Sequence, residues 1–243
     1  MNQVQVSNRT ITPAEVIPML ASYRMLPLLW REVIIDSAIA PIQLSQSEQN
    51  QALDQFYKKH QLSNQVERQA WSKRYGMSFE QLNEVAIREL KIEKFKQATW
   101  ESKLESHFLS HKAQLDKVVY SLIRTKQSEI VQELFFRIRA GEQSFAELAR
   151  EYSQGSEAHT DGLIGPVELS VPHPHLAKML AMSKPGQLWH PTRLGEWFVI
   201  VRLEKLIPAQ LDEVMRQQLL HNLFEQWISE QFALLQQNVT SAA

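Results

Sequence analysis

At 243 residues the chain is long enough to bury one or two cores, and 44% hydrophobic residues with six tryptophans exclude a disordered chain. With 26 basic against 27 acidic residues, the charge balance offers no footprint for nucleic acid or a membrane surface. The absence of cysteine excludes disulfides, thiolate metal sites and cysteine nucleophiles at once.

The stretch Met1–Val16 lacks a basic region followed by an apolar run and a small-residue cleavage site, so no signal peptide is expected and the expected compartment is the cytosol. No window approaches the length of a membrane span. Thr12-Pro13-Ala14-Glu15 combines an N-cap, a proline at the first helical position and a capping-box glutamate, and Val16, Met19, Leu20 and Tyr23 follow on one face. A second helix opens at Pro27, and its run Leu28–Ile35 is apolar on more than one side, which predicts burial by several neighbours. Ser45-Gln46-Ser47-Glu48 is a second capping box, with Leu53, Phe56 and Tyr57 facing inward. A shorter helix is expected from Ser63 to near Gly76, and Ser78 caps a long one whose apolar spacing continues from Leu82 to Phe108. Residues 1–115 thus read as a helical array without strand signals.

At Lys117 the period changes, and Val118–Ile123 is a run rich in β-branched residues that predicts a strand. A helix with Ile130, Leu134 and Ile138 in register ends at Gly141. Ser144 and Glu147 form a further capping box, opening a short helix with Phe145, Leu148 and Ala149 on one face. A polar loop then leads to the Gly-flanked strand Gly162–Val167. A short helix around Leu176–Ala181, the turn Lys184-Pro185-Gly186 and the strand Trp197–Leu203 complete an order of β, α, α, β, α, β, β. The run Trp197–Val201 is too continuously apolar for an exposed edge and suits a central strand. After Pro208 and a capping Asp212, the last helix carries Met215, Leu219, Leu223, Phe224, Trp227 and Ile228 on a wide apolar stripe. Nothing near in sequence covers that stripe, so it is expected to pack back onto the N-terminal helices. The fold class is therefore α+β, with a discontinuous helical domain of residues 1–115 and 208–243 around an inserted domain of residues 116–207.

The pattern F-x-x-L-A-x-x-Y-S, here Phe145–Ser153, followed by G-x-x-G at Gly162–Gly165, resembles the middle of a parvulin-type peptidyl-prolyl isomerase domain. The whole layout is similar to the SurA-type and PrsA-type foldases, and to cyanobacterial parvulin-like proteins of which some are encoded beside type I secretion genes. The resemblance implies a helical chaperone body and a parvulin domain with an antiparallel or mixed four-stranded sheet and flanking helices. It also implies unfolded or extended polypeptide clients, X-Pro segments as ligands and secretion machinery as a partner, with no metal or cofactor.

The family reaction is rotation about an X-Pro amide, against an intrinsic barrier of ~18–20 kcal/mol. In parvulins a pair of strand histidines and a nearby cysteine or aspartate lie under that amide, while a methionine and a phenylalanine cup the proline. The first histidine falls on Tyr120, the cysteine or aspartate on Gly155 and the last-strand histidine on Val199. The methionine falls on Pro172 and the phenylalanine on Leu176, so all five positions differ. Leu176, Leu180 and Phe198 are expected to line an apolar cup, and Tyr120 keeps one hydrogen-bonding group.

His107 and His111 have a metal-compatible i,i+4 spacing but no third ligand in the sequence at the required offset, and read as exposed helical histidines. His159, His173, His175 and His190 fall in or near loops around the cup. Two of them standing in for the lost pair is the alternative to solvated loop histidines. The leading expectation is a peptide-binding chaperone or adaptor with a degenerate isomerase domain. An active isomerase and a structural subunit of a larger assembly, which homodimer formation through swapped N-terminal helices would support, are the alternatives.

Overall fold

The computed structural model describes residues 4–6 and 8–241. The chain divides into two compact units, Met1–Leu104 with Glu213–Ala243, and Glu105–Asp212. The first unit begins with a two-stranded antiparallel ladder of β1 (Val4–Val6) and β2 (Arg9–Ile11). This corrects the expectation of an N-terminal region free of strands: three residues on each side are too few for an alternation to stand out. Helix α1 (Pro13–Ser22) starts as its capping box predicts, with the Thr12 amide donating to Glu15 Oε2 at 2.9 Å.

Helix α2 (Leu26–Ile39) buries only Ile35 and Ile39, whereas Leu28, Trp30 and Val33 are exposed. The expected burial from several sides is therefore confined to its last turns. Helix α3 (Gln46–Lys59) carries the Ser45–Glu48 box, and α4 (Gln65–Arg74) is capped by Asn64, one residue after the expected Ser63. Asn64 wins because its Oδ1 accepts from the Glu67 amide at 3.0 Å. Helix α5 (Phe79–Leu115) is 37 residues long.

The second unit is built on β3 (Lys117–Thr125), α6 (Ser128–Ala140), α7 (Phe145–Tyr152), β4 (Leu163–Glu168), α8 (Pro174–Met182), β5 (Thr192–Leu194) and β6 (Trp197–Ile207). This is the element order the sequence predicts. Its sheet has the order β4-β3-β6-β5 and is antiparallel throughout. Alternation splits β3 and β6 between two cores. Ile123 and Ile200 point to the face covered by α6 and α7, where they meet Val131, Leu134, Phe145 and Leu148. Val118, Tyr120, Leu122, Val199, Val201 and Leu203 point to the other face, where Leu176 and Leu180 of α8 cover part of it.

The chain then returns to the first unit in α9 (Glu213–Ser241). Phe224 and Ile228 of α9 are buried with Ile35 and Ile39 of α2, and Phe95, Trp100 and Trp227 pack against that cluster. The stripe that nothing nearby in sequence could cover is thus covered by residues distant in the chain. Among the described residues no helix is long and apolar enough to cross a membrane.

Candidate functional site

The face of the sheet that carries α8 is covered only in part. Beyond Leu176 it opens into a cleft of about 340 Å³, floored by Tyr120, Leu122 and Arg124 of β3 with Trp197 and Val199 of β6. Ile164, Pro172, Leu176 and Leu194 complete its apolar walls, and Ser156, Glu157 and His173 its polar edge. Period-two alternation puts Tyr120, Leu122 and Arg124 on one face, and the register sets Arg124 opposite Val199.

Four of the positions singled out in the sequence, Tyr120, Val199, Pro172 and Leu176, come together in this cleft. Three do not line it. Leu180 has no exposed surface and lies in the core under α8 with Val118, Val201 and Leu203. Phe198 requires a correction: it follows Trp197 by one residue, so it points to the opposite face and packs against the α6 and α7 core. Trp197 stands at the cleft instead. Gly155 precedes the 3₁₀ helix Ser156–Thr160, and a Cβ there would collide with Nε, Nη2 and Cζ of Arg124. The space of a side chain at position 155 is filled by a guanidinium.

That guanidinium belongs to a polar cluster the sequence reading missed. Arg124 Nε lies 3.0 Å from Glu157 Oε1, an ion pair whose geometry leaves the buried Nε–H without a hydrogen bond. The Glu157 side chain is only 3% exposed, against 34% for Arg124. Ser153 Oγ donates to Glu157 Oε1 at 2.6 Å and accepts from the Arg124 amide at 3.0 Å. The Gln154 amide donates to the Arg124 carbonyl at 2.9 Å, so the loop is fastened to the end of β3. Arg124 Cζ sits 5.4 Å from the Trp197 ring centroid, and Lys126 Nζ 5.0 Å from it. Burial, reinforced by the Glu157 charge and opposed by Arg124, holds the Tyr120 phenol above its usual range, so it stays protonated near neutral pH.

The loop histidines do not rebuild an imidazole pair. His173 lies at the cleft edge, where its Nδ1 accepts from the His175 amide at 3.3 Å. His190 packs against Phe135 of the opposite core with ring centroids 4.5 Å apart and the planes tilted by 35°. His107 and His111 lie with ring centroids 4.2 Å apart and their planes tilted by 33°, and among the described residues no group of three or more His, Asp or Glu side chains is placed to hold a metal.

Residues 109–205 match the family model described as Rotamase, PPIC-type PPIASE domain. This part of the chain is a parvulin-type rotamase domain. No curated protein matches the sequence. Among solved structures, the chain is similar to the peptidylprolyl isomerase PrsA of Bacillus anthracis, with 18% identity over 88% of this chain and 97% of that one, and a TM-score of 0.47. A SurA-like chaperone of Campylobacter jejuni shows 14% identity over 99% and 97%, with a TM-score of 0.38. The parvulin domain of PpiD from Escherichia coli shows 28% identity over 41% of this chain and 97% of that domain, with a TM-score of 0.35. Residues 109–205 hold the four-stranded sheet with α6, α7 and α8, and Tyr120, Gly155 and Val199 occupy the positions that the sequence resemblance assigns to reactive groups.

Proposed function

We propose that this protein is a peptide-binding chaperone or adaptor whose rotamase domain holds X-Pro segments without rotating them efficiently. The observation that carries this reading is the cleft itself. It keeps an apolar cup, bounded by Leu122, Ile164, Leu176 and Val199, but a valine faces it where an imidazole is expected. Catalysis of rotation needs groups that favour the twisted amide over the planar one, whereas an apolar cup alone binds both. Unfolded or extended polypeptide is the client class, and secretion machinery is the partner that the sequence resemblance suggests.

The helical unit supports the same reading independently. On α1, α2 and the turn between them, Val16, Ile17, Tyr23, Leu28, Trp30 and Val33 are each at least 41% exposed, and α1 buries no residue. Exposed apolar side chains in this number suit polypeptide, either a client or a second copy of the chain. Suppression of aggregation of a chemically unfolded client by the full chain, lost in Ile17→Ser/Leu28→Ser, tests this face. Retention of activity in that variant would remove it from the proposal.

An active isomerase is the second reading, favoured by the polar cluster of Tyr120, Arg124 and Glu157 beside the cup. Tyr120→Phe then slows turnover of X-Pro peptides. An unchanged rate would discard that use of the tyrosine.

A further inference from the structure

The polar cluster assigns a specific task to Arg124. Glu157 is buried and anchored by Ser153, and it holds the guanidinium by its Nε side. Gly155 leaves the room the guanidinium fills, and Trp197 lies along it. A long, flexible side chain is thereby fixed in place before any ligand arrives. Its two Nη groups take no hydrogen-bond partner among the described residues, and Arg124 lines the cleft beside Leu122, Leu176 and Val199.

A preset donor edge next to an apolar cup matches a ligand with an apolar ring and a hydrogen-bond acceptor close to it. In an X-Pro segment that acceptor is the carbonyl oxygen of residue X. Resting on the reading of the cleft as an X-Pro site, we propose that Arg124 is the specificity-determining residue of the cleft and donates through its Nη groups to that carbonyl oxygen, clamping the planar amide.

The direction of the effect follows from amide chemistry. Resonance in the planar amide places negative charge on oxygen, and twisting the C–N bond removes that charge and returns a lone pair to nitrogen. A cationic donor on oxygen therefore stabilises the planar ground state more than the twisted transition state. Such a contact strengthens binding and opposes rotation, since only interactions stronger in the transition state accelerate a reaction. Arg124 makes the cleft a recognition site by the same contact that makes it a poor catalyst.

The test is a cycle between protein and peptide. An Ala-Pro peptide and its thioxo analogue, in which the carbonyl oxygen before proline is replaced by the weaker acceptor sulfur, are titrated into the full-length protein and into Arg124→Gln. The expected result is about a tenfold weaker affinity for the thioxo peptide in the unaltered protein, and no difference between the two peptides in the variant. Rotation of the bound oxo peptide, read by exchange NMR, does not slow in Arg124→Gln.

An equal thioxo penalty in both proteins overturns the proposal and leaves the X-Pro reading standing. Binding of neither peptide overturns both. A slower rotation in the variant also overturns it, because the guanidinium would then serve the transition state. A Glu-Pro peptide that gains affinity only through Arg124, with no thioxo effect, would assign the guanidinium to a side-chain carboxylate instead and overturn the carbonyl contact. If Arg124→Gln does not fold, Arg124→Lys, which keeps the charge but loses the planar fork, carries the same cycle with the same expected loss of the thioxo difference.

Discussion

The two faces of the rotamase sheet are made by the same two strands and differ in how they are finished. Toward α6 and α7, Ile123, Val131, Leu134, Leu148 and Ile200 are all at most 1% exposed, and these apolar side chains close the face, with the Arg202 guanidinium over the Phe145 ring. Toward α8 the closure stops at Leu176, and a carboxylate, a guanidinium, a phenol and an indole stand around the remaining space. One face stabilises the unit and the other is left available for a ligand. A single residue step along β6, from Trp197 to Phe198, moves a side chain from one purpose to the other.

Truncation on the closed face is expected to have the largest effect. Phe145→Ala, 3% exposed in the native state, is expected to cost about 3–5 kcal/mol in urea unfolding, because it leaves a cavity among packed neighbours. A loss under 1 kcal/mol would mean that this face does not hold the unit together.

Trp197→Ala comes next, on the open face. Peptide affinity is expected to fall by about 2 kcal/mol, as for a buried aromatic anchor, while the unfolding midpoint moves little. The reverse pattern would place Trp197 in the core. Glu157→Ala is expected to cost about 2 kcal/mol of stability, less than a fully buried pair because Arg124 is one third exposed. A neutral result would show that the ion pair does not anchor the loop.

Gly155→Ala probes the contact between loop and strand more gently. The guanidinium has to give way, so the expected signature is a shifted Arg124 side-chain resonance with stability changed by under about 1 kcal/mol. Unperturbed Arg124 signals would contradict the packing described.

The smallest effect lies in the helical unit. The hydrogen bond from Lys94 and those of the Ser45 cap lower the Glu48 carboxyl from its ordinary 4.5 to about 2. A depressed carboxyl pKa contributes stability above the unfolded value that is lost as pH falls toward the folded one. Helix α3 is thus expected to loosen slightly between about pH 4.5 and about pH 2, and Glu48→Gln should flatten that part of an acid titration followed by circular dichroism.

Helix starts were legible in the sequence because capping boxes are local chemistry: Thr12, Ser45 and Ser144 each open a helix where Ser or Thr precedes glutamate by three residues. The element order of the rotamase unit was legible for a similar reason, since its apolar runs are long. What the sequence hid was parity and partnership. Phe198 has the composition of a cup residue but the wrong parity for the cleft. Arg124 shares the parity of Tyr120 and was within reach of the same argument. Glu157 carried no signal, because an acidic residue in a polar loop reads as solvated until a distant guanidinium is seen beside it. The exposed apolar residues of α2, Leu28, Trp30 and Val33, were expected to be buried because periodicity reports which side is apolar and not what covers it.

The central claim, that the open face binds X-Pro segments without turning them over efficiently, is most directly tested by exchange NMR of an Ala-Pro peptide with the labelled full-length protein. The account predicts amide shifts at Tyr120, Leu122, Arg124 and Trp197 on titration, with cis and trans peptide signals exchanging no faster than in the free peptide. Shifts accompanied by rapid cis–trans exchange would contradict it and establish that a cleft floored by tyrosine, arginine and valine still catalyses rotation.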